Sequence, residues 1–94
     1  MGVFCCMKRA VKASVKGTVQ GIFFRQFVKG HADDLKLTGY VRNMENEVEI
    51  VAEGEAVAVD RLLRFVKEGP KHSQIRSVDV KERQWSGDFQ NFKI

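Results

Sequence analysis

Residues 8–35 read KRAVKASVKGTVQGIFFRQFVKGHADDL, and the period of their apolar positions changes partway along. Over residues 8–16 the chain alternates, with Val11, Ala13 and Val15 on one side and Lys12, Ser14 and Lys16 on the other, which is the period of a half-buried strand. Beyond Gly17 and Gly21, the residues Phe24, Phe27, Val28, Ala32 and Leu35 recur at intervals of three and four, as one face of an amphipathic helix over residues 25–36. The chain thus passes from strand to helix through a glycine-flanked loop.

Working outward, Gly39 punctuates, and residues 40–44 followed by Val48, Ile50 and Ala52 read as a hairpin turning near Glu45 and Asn46. From Glu55, the residues Val59, Leu62, Leu63 and Val66 form a second helical stripe. Gly69-Pro70 is its stop, because glycine takes the left-handed cap and proline cannot continue a helix. A fourth strand is expected over residues 75–83, with Val78 and Val80 facing inward, and a short last strand over residues 89–93. The order strand, helix, strand, strand, helix, strand is the ferredoxin-like βαββαβ sandwich, an α+β fold with an antiparallel sheet and two helices on one face. Such a fold carries many unrelated activities, so function has to come from a site.

Ninety-four residues suit one small domain, read here as residues 8–94. Hydrophobic residues make up 44% and charged residues 30%, an ordinary globular balance, and no apolar run approaches the roughly 20 residues of a membrane span. The net charge of +4 is unevenly spread: residues 1–32 hold Lys8, Arg9, Lys12, Lys16, Arg25 and Lys29 and no carboxylate. That third of the chain favours anions, whether nucleic acid, membrane surface or phosphorylated ligand. Cys5 and Cys6 are adjacent, which rules out an ordinary disulfide between them and does not match zinc-ligand spacing. With no secretory signal, they point to a reducing cytoplasm. The opening Met1-Gly2-Val3-Phe4-Cys5-Cys6 loosely resembles a lipidation signal, but position 6 is Cys where Ser or Thr belongs. Residues 1–7 are read as a disordered extension, and Met7 is a candidate start.

Arg25 is the oddity of the opening stretch. A cation in the first turn of a helix opposes the positive end of the helix dipole, at a cost of a few tenths to about 1 kcal/mol. Glycine-freed loop amides pointing inward form an anion-binding nest, the helix terminus adds to the same field, and a guanidinium matches two phosphate oxygens at once. Together they make a phosphate cradle. The alternative is a surface arginine with its stem over Phe24.

GTVQGIFFR (residues 17–25) followed by LKLTGYVRN (residues 35–43) resembles the two signatures of the acylphosphatase family, Gly-x-Val-Gln-Gly-x-x-Phe-Arg and then Gly-aromatic-Val-Arg-Asn. The likeness extends through VEIVAEGE and FVKEGP and covers residues 8–94. It implies a small ferredoxin-like hydrolase that splits carboxyl-phosphate anhydrides into carboxylate and inorganic phosphate without metal or cofactor. By the same resemblance, Arg25 binds the phosphoryl group, Asn43 positions the attacking water, and the amides of Gln20, Gly21, Ile22, Phe23 and Phe24 form the phosphate-binding turn. The family usually has five residues, including an Asp-Gly or Asn-Gly turn, between that asparagine and the next valine. Here Met44-Glu45-Asn46-Glu47 gives four and no glycine, implying a tighter turn with Asn46 in the left-handed position.

The chemistry fits these residues. An acyl phosphate releases a carboxylate whose acid has a pKa of about 4, so no general acid is needed. In-line phosphoryl transfer through a loose transition state depends on positioning and on donors to the equatorial oxygens. His31 reads as boundary packing, His72 as a solvated loop residue, Trp85 as core or edge packing near the end of the fourth strand, and Asp33-Asp34 as an acidic pair lacking the partners of a metal site. The partner expected is a small acyl phosphate, with no nucleic acid or membrane, and the state a monomer. The rival is a non-catalytic anion- or RNA-binding module of the same fold. RNA binding asks for aromatics on the central strands, whereas residues 47–53 read as an acidic strand. Similar motifs occur inside larger carbamoyl-phosphate-processing proteins. With no further domain in these 94 residues, a free-standing enzyme is expected.

Overall fold

The computed structural model describes residues 8–18, 22–45, 47–69 and 74–94. β1 (Lys8–Thr18) leads to α1 (Ile22–Asp34), the hairpin β2 (Thr38–Asn43) and β3 (Val48–Glu55), then α2 (Ala56–Glu68), β4 (Gln74–Glu82) and β5 (Phe92–Lys93). The sheet order is β4-β1-β3-β2-β5. The first four strands pair antiparallel, as the ferredoxin-like reading requires.

β5 is shorter than the strand expected over residues 89–93, and it runs parallel to β2 through Gly39↔Phe92 and Tyr40↔Lys93. Topology explains the direction. β4 finishes at the end of the sheet where β2 begins, so a chain that crosses there rejoins the far edge running alongside β2.

Strand alternation and helical stripe meet as the sequence suggests. Val11, Ala13 and Val15 of β1, Val41 of β2, and Val48, Ile50 and Ala52 of β3 lie under Phe24, Val28 and Ala32 of α1 and Val59, Leu62, Leu63 and Val66 of α2. α1 begins earlier than the expected residue 25 and stops at Asp34, short of residue 36. Its end is a Schellman closure: Leu37 N donates to Ala32 O at 2.9 Å and Lys36 N to Asp33 O at 3.0 Å. Lys36, at φ 59, holds the left-handed position that glycine usually takes, so the sequence carried no stop signal there. Leu37, the next residue, is buried and anchors the motif.

Gly39 is a strand residue and not a breaker. A Cβ built on it would sit 1.9 Å from the carbonyl oxygen of Val51, so the close approach of β2 to β3 demands glycine. At the far end of α2, Gly69 donates its N–H to Phe65 O at 2.8 Å; its φ of 73 is positive as expected, but its ψ of 168 lies outside the left-handed helical region.

The opposite face of the sheet overturns the acidic surface expected of residues 47–53. Glu49 and Glu53 are 4% and 0% exposed. Residues 83–91 cross this face, and Glu53 accepts hydrogen bonds from Ser86 Oγ at 2.8 Å, Gly87 N at 3.0 Å and Arg83 Nη1 at 3.4 Å. Trp85 belongs to that crossing segment, after β4 has ended, and is 42% exposed instead of packed in the core or along the edge.

Candidate active site

β1 and β2 run in the same direction, each antiparallel to β3, so the start of α1 and the end of β2 lie at one end of the sheet. Val48 pairs with Val15 on one side and Asn43 on the other, which places Asn43 about 10 Å across from β1 at 4.8 Å per strand. Asn43 shares the parity of Val41, whose side chain lies in the core beneath the helices. It is therefore on the helix side of the sheet, exposed beyond the last core residue of β2.

The strand leading to the loop is adapted at its end. The β1–β4 register shifts between Lys16 and Gly17, and Gly17 has a φ of 140. Val19, Gln20 and Gly21 lie outside the described residues, as do the side chains of Ile22 and Phe23, so the expected roles of Gln20 and Gly21 fall outside them too. α1 opens at Ile22, and the amides of Ile22, Phe23 and Phe24 sit in its first turn, where N–H groups have no partner within the helix. Phe24 is buried, 3% exposed, and stacks on Phe27 with centroids 6.3 Å apart. That anchor fixes the helix start against the core.

Arg25 follows immediately, and the first turn of α1 contains no acidic residue. Its Nε is buried and has no hydrogen-bond partner, the one such side-chain atom among the described residues. A buried donor left unpaired costs about 1–3 kcal/mol, more when it carries charge. This cation lies at the positive end of a helix, and no ion pair to it occurs among the described residues.

Beneath the hairpin, Glu49 locks β2 to β3 one residue before Asn43. Its Oε2 accepts from the Tyr40 hydroxyl at 2.7 Å and from Arg42 Nε at 3.2 Å, and Lys12 Nζ lies 3.5 Å from Oε1. Burial pushes the Glu49 carboxyl up, but the Tyr40 hydrogen bond and the charges of Arg42 and Lys12 outweigh it and hold the group below its ordinary value. Burial and the bond to Glu49 raise the Tyr40 hydroxyl in turn. The pairing from Thr38↔Glu53 to Asn43↔Val48 is unbroken, and Met44 N donates to Glu47 O at 2.7 Å beyond it. The short turn is thus closed without a register shift. Asn46, expected in the left-handed position, lies outside the described residues.

Other sequence candidates sit elsewhere. His31 stacks on Phe65 with centroids 3.8 Å apart and meets Phe27 edge-on at 4.6 Å, the packing role expected of it near the far end of α1. Asp33 pairs with Lys29 at 2.9 Å. His72 is outside the described residues. No helix among the described residues is long and apolar enough to cross a membrane. The Glu49 lock went unread, although VEIVAEGE alternates Glu49, Val51 and Glu53 against Val48, Ile50 and Ala52, and Tyr40 and Arg42 share a parity on β2.

Comparison with known proteins identifies a family. The acylphosphatase family model matches residues 11–94. An acylphosphatase of Rubrobacter xylanophilus is 42% identical over 87 residues, covering 92% of this chain and 79% of its own. A solved acylphosphatase of Coxiella burnetii superposes with a TM-score of 0.87 at 33% identity, covering 99% of this chain and 98% of that one. The Bacillus subtilis enzyme gives 0.86 at 36% identity, covering 94% and 98%.

Proposed function

Because the chain belongs to the acylphosphatase family, we propose that it hydrolyses acyl phosphates with Arg25 and Asn43 as its catalytic residues. The observation that carries this reading is the buried, unpartnered Nε of Arg25 at the start of α1. A phosphoryl group placed there answers the uncompensated guanidinium and the free first-turn amides together.

The phosphoryl oxygens are taken by the amides of residues 20–24 and by the Arg25 fork. The Asn43 side-chain carbonyl accepts a hydrogen bond from a water and aims its oxygen at phosphorus, opposite the acyl oxygen. The new P–O bond forms as the P–O bond to the acyl group breaks, and the electron pair leaves with the carboxylate. The water proton passes to a phosphoryl oxygen. A carboxylate with a conjugate-acid pKa of about 4 leaves without protonation, so the step asks for no general acid and no metal. The donors are fixed before charge develops on the equatorial oxygens.

We take the enzyme to be a single domain over residues 8–94, working as a cytoplasmic monomer on a small-molecule substrate rather than on nucleic acid or at a membrane. Phosphate release from a synthetic aromatic acyl phosphate tests the reaction: EDTA-treated protein is expected to turn over as fast as untreated protein. A folded chain that releases no phosphate above the uncatalysed rate overturns the assignment, and loss of turnover with EDTA overturns its metal independence.

A further inference from the structure

A cavity of 480 Å³ opens at the end of the sheet opposite Asn43, where β1 and β2 begin and α2 starts. Its volume lies within the roughly 300–1,000 Å³ typical of small-molecule pockets. Two kinds of wall meet in it. Trp85 and Phe89 of the crossing segment and Val57 of α2 supply apolar surface, while Lys8, Lys36 and Arg61 supply positive charge. Trp85 and Val57 are 42% and 64% exposed, apolar groups left open to this space.

The three cations have no carboxylate partner among the described residues, whereas Arg9, Lys12, Lys29, Arg42 and Arg83 each hold a carboxylate. Glu53 borders the cavity, but its carboxylate is engaged by Arg83, Ser86 and Gly87. Glu55 is then left as the lining carboxylate facing three cations. It makes no side-chain cap on α2, whose first-turn residues Val57 and Ala58 line the same space. Lys8 Nζ lies 5.8 Å from the Trp85 ring centroid, which puts charge directly beside the aromatic wall.

We propose that this cavity is a second ligand site, taking a planar aromatic group that carries a phosphate monoester, of the size of a nucleoside monophosphate. Net positive charge in the lining matches a dianionic phosphate better than a singly charged carboxylate, and Arg61 supplies the bidentate fork. The ring stacks against Trp85 and Phe89. The site lies at the far end of the sheet from Arg25 and does not depend on the reaction there.

Trp85 is the single tryptophan of the chain, so its fluorescence reports this cavity and not the loop at the other end. The full chain is titrated with AMP, and with adenosine and inorganic phosphate in parallel. AMP is expected to change Trp85 emission saturably and to bind at least about tenfold more tightly than either fragment. Arg61→Ala and Lys36→Gln each weaken it by about tenfold, the worth of one charge-assisted contact. Arg61→Ala leaves hydrolysis of the aromatic acyl phosphate unchanged. The proposal is overturned by no saturable change, by equal binding of adenosine or inorganic phosphate, or by indifference to both substitutions. A response that disappears with Arg25→Met overturns it as well, since the ligand would then occupy the catalytic loop.

Discussion

Asn43 stands opposite Val48 as the last pair of the β2–β3 ladder, and Val48 in turn stands opposite Val15 of β1. The amide thus sits on a three-strand row whose other members are buried. In the proposed reaction this position delivers a water at a fixed angle, so removing the amide is expected to change the transition state more than ground-state binding. Asn43→Ala is expected to lower kcat by about 100-fold with little change in KM. Steady-state phosphate release, with circular dichroism to check folding, decides it. A loss confined to KM would make Asn43 a binding group instead.

The next prediction sets stability against activity at Arg25. Its buried Nε has no partner and its charge opposes the α1 dipole, so the folded protein without ligand bears a cost there. Arg25→Met keeps an apolar stem and removes both penalties. It is expected to keep or raise thermal stability, by up to about 1 kcal/mol, while turnover falls at least about 100-fold. Inorganic phosphate raises the Tm of the wild type by mass action and raises that of Arg25→Met less. Destabilisation of the variant by more than about 1 kcal/mol would show that Arg25 serves the fold.

These two residues illustrate what was legible beforehand. The periods of residues 8–16 and 24–35 expose the first strand and helix because packing and pattern agree there. The second stripe, Val59, Leu62, Leu63 and Val66, is buried to the last residue named. Arg25 and Asn43 are proposed through motif resemblance, supported by a dipole argument for the first and by nothing local for the second. What stayed hidden depends on long-range geometry. Glu49 and Glu53 look like surface charges until Tyr40, Arg42 and Ser86 arrive from other segments. The crossing of residues 83–91 has no periodicity, because between its backbone bonds at Arg83 and Asn91 it is held by the distant Glu53 side chain and not by a continuous ladder.

The Glu49 lock makes stability depend on pH in a stated direction. The native carboxyl is held below its ordinary value of 4.5, so its contribution is fully present above pH 4.5 and is lost as pH falls through the depressed native value. Tyr40 is raised above 10.0, so the hydroxyl's contribution is present below pH 10 and fades as pH rises through the native value. At pH 7, Tyr40→Phe is expected to cost about 1.5 kcal/mol, the worth of a hydrogen bond to a charged group. Urea unfolding at pH 7 and again well below 4.5 measures the change. The cost should shrink at the acid end, and Glu49→Gln should flatten the difference. A Tyr40→Phe cost that is the same at both pH values would remove the linkage.

Lys36 offers a gain of stability that touches neither the core nor the proposed reaction centre. It closes α1 at φ 59, a left-handed conformation that costs a residue with a Cβ about 1–2 kcal/mol, while both Schellman hydrogen bonds and the burial of Leu37 depend on it. Glycine reaches that conformation freely, and the gain exceeds the extra freedom it adds to the unfolded chain. Lys36→Gly is expected to stabilise by about 0.5–1 kcal/mol, which raises Tm by several degrees in a domain of this size. Calorimetry compares it with Lys36→Ala, which loses the charge but keeps the strained backbone and should gain little. Equal effects of the two substitutions would locate the gain in the removed charge, among Lys8 and Arg61 at the same cavity, and not in the backbone.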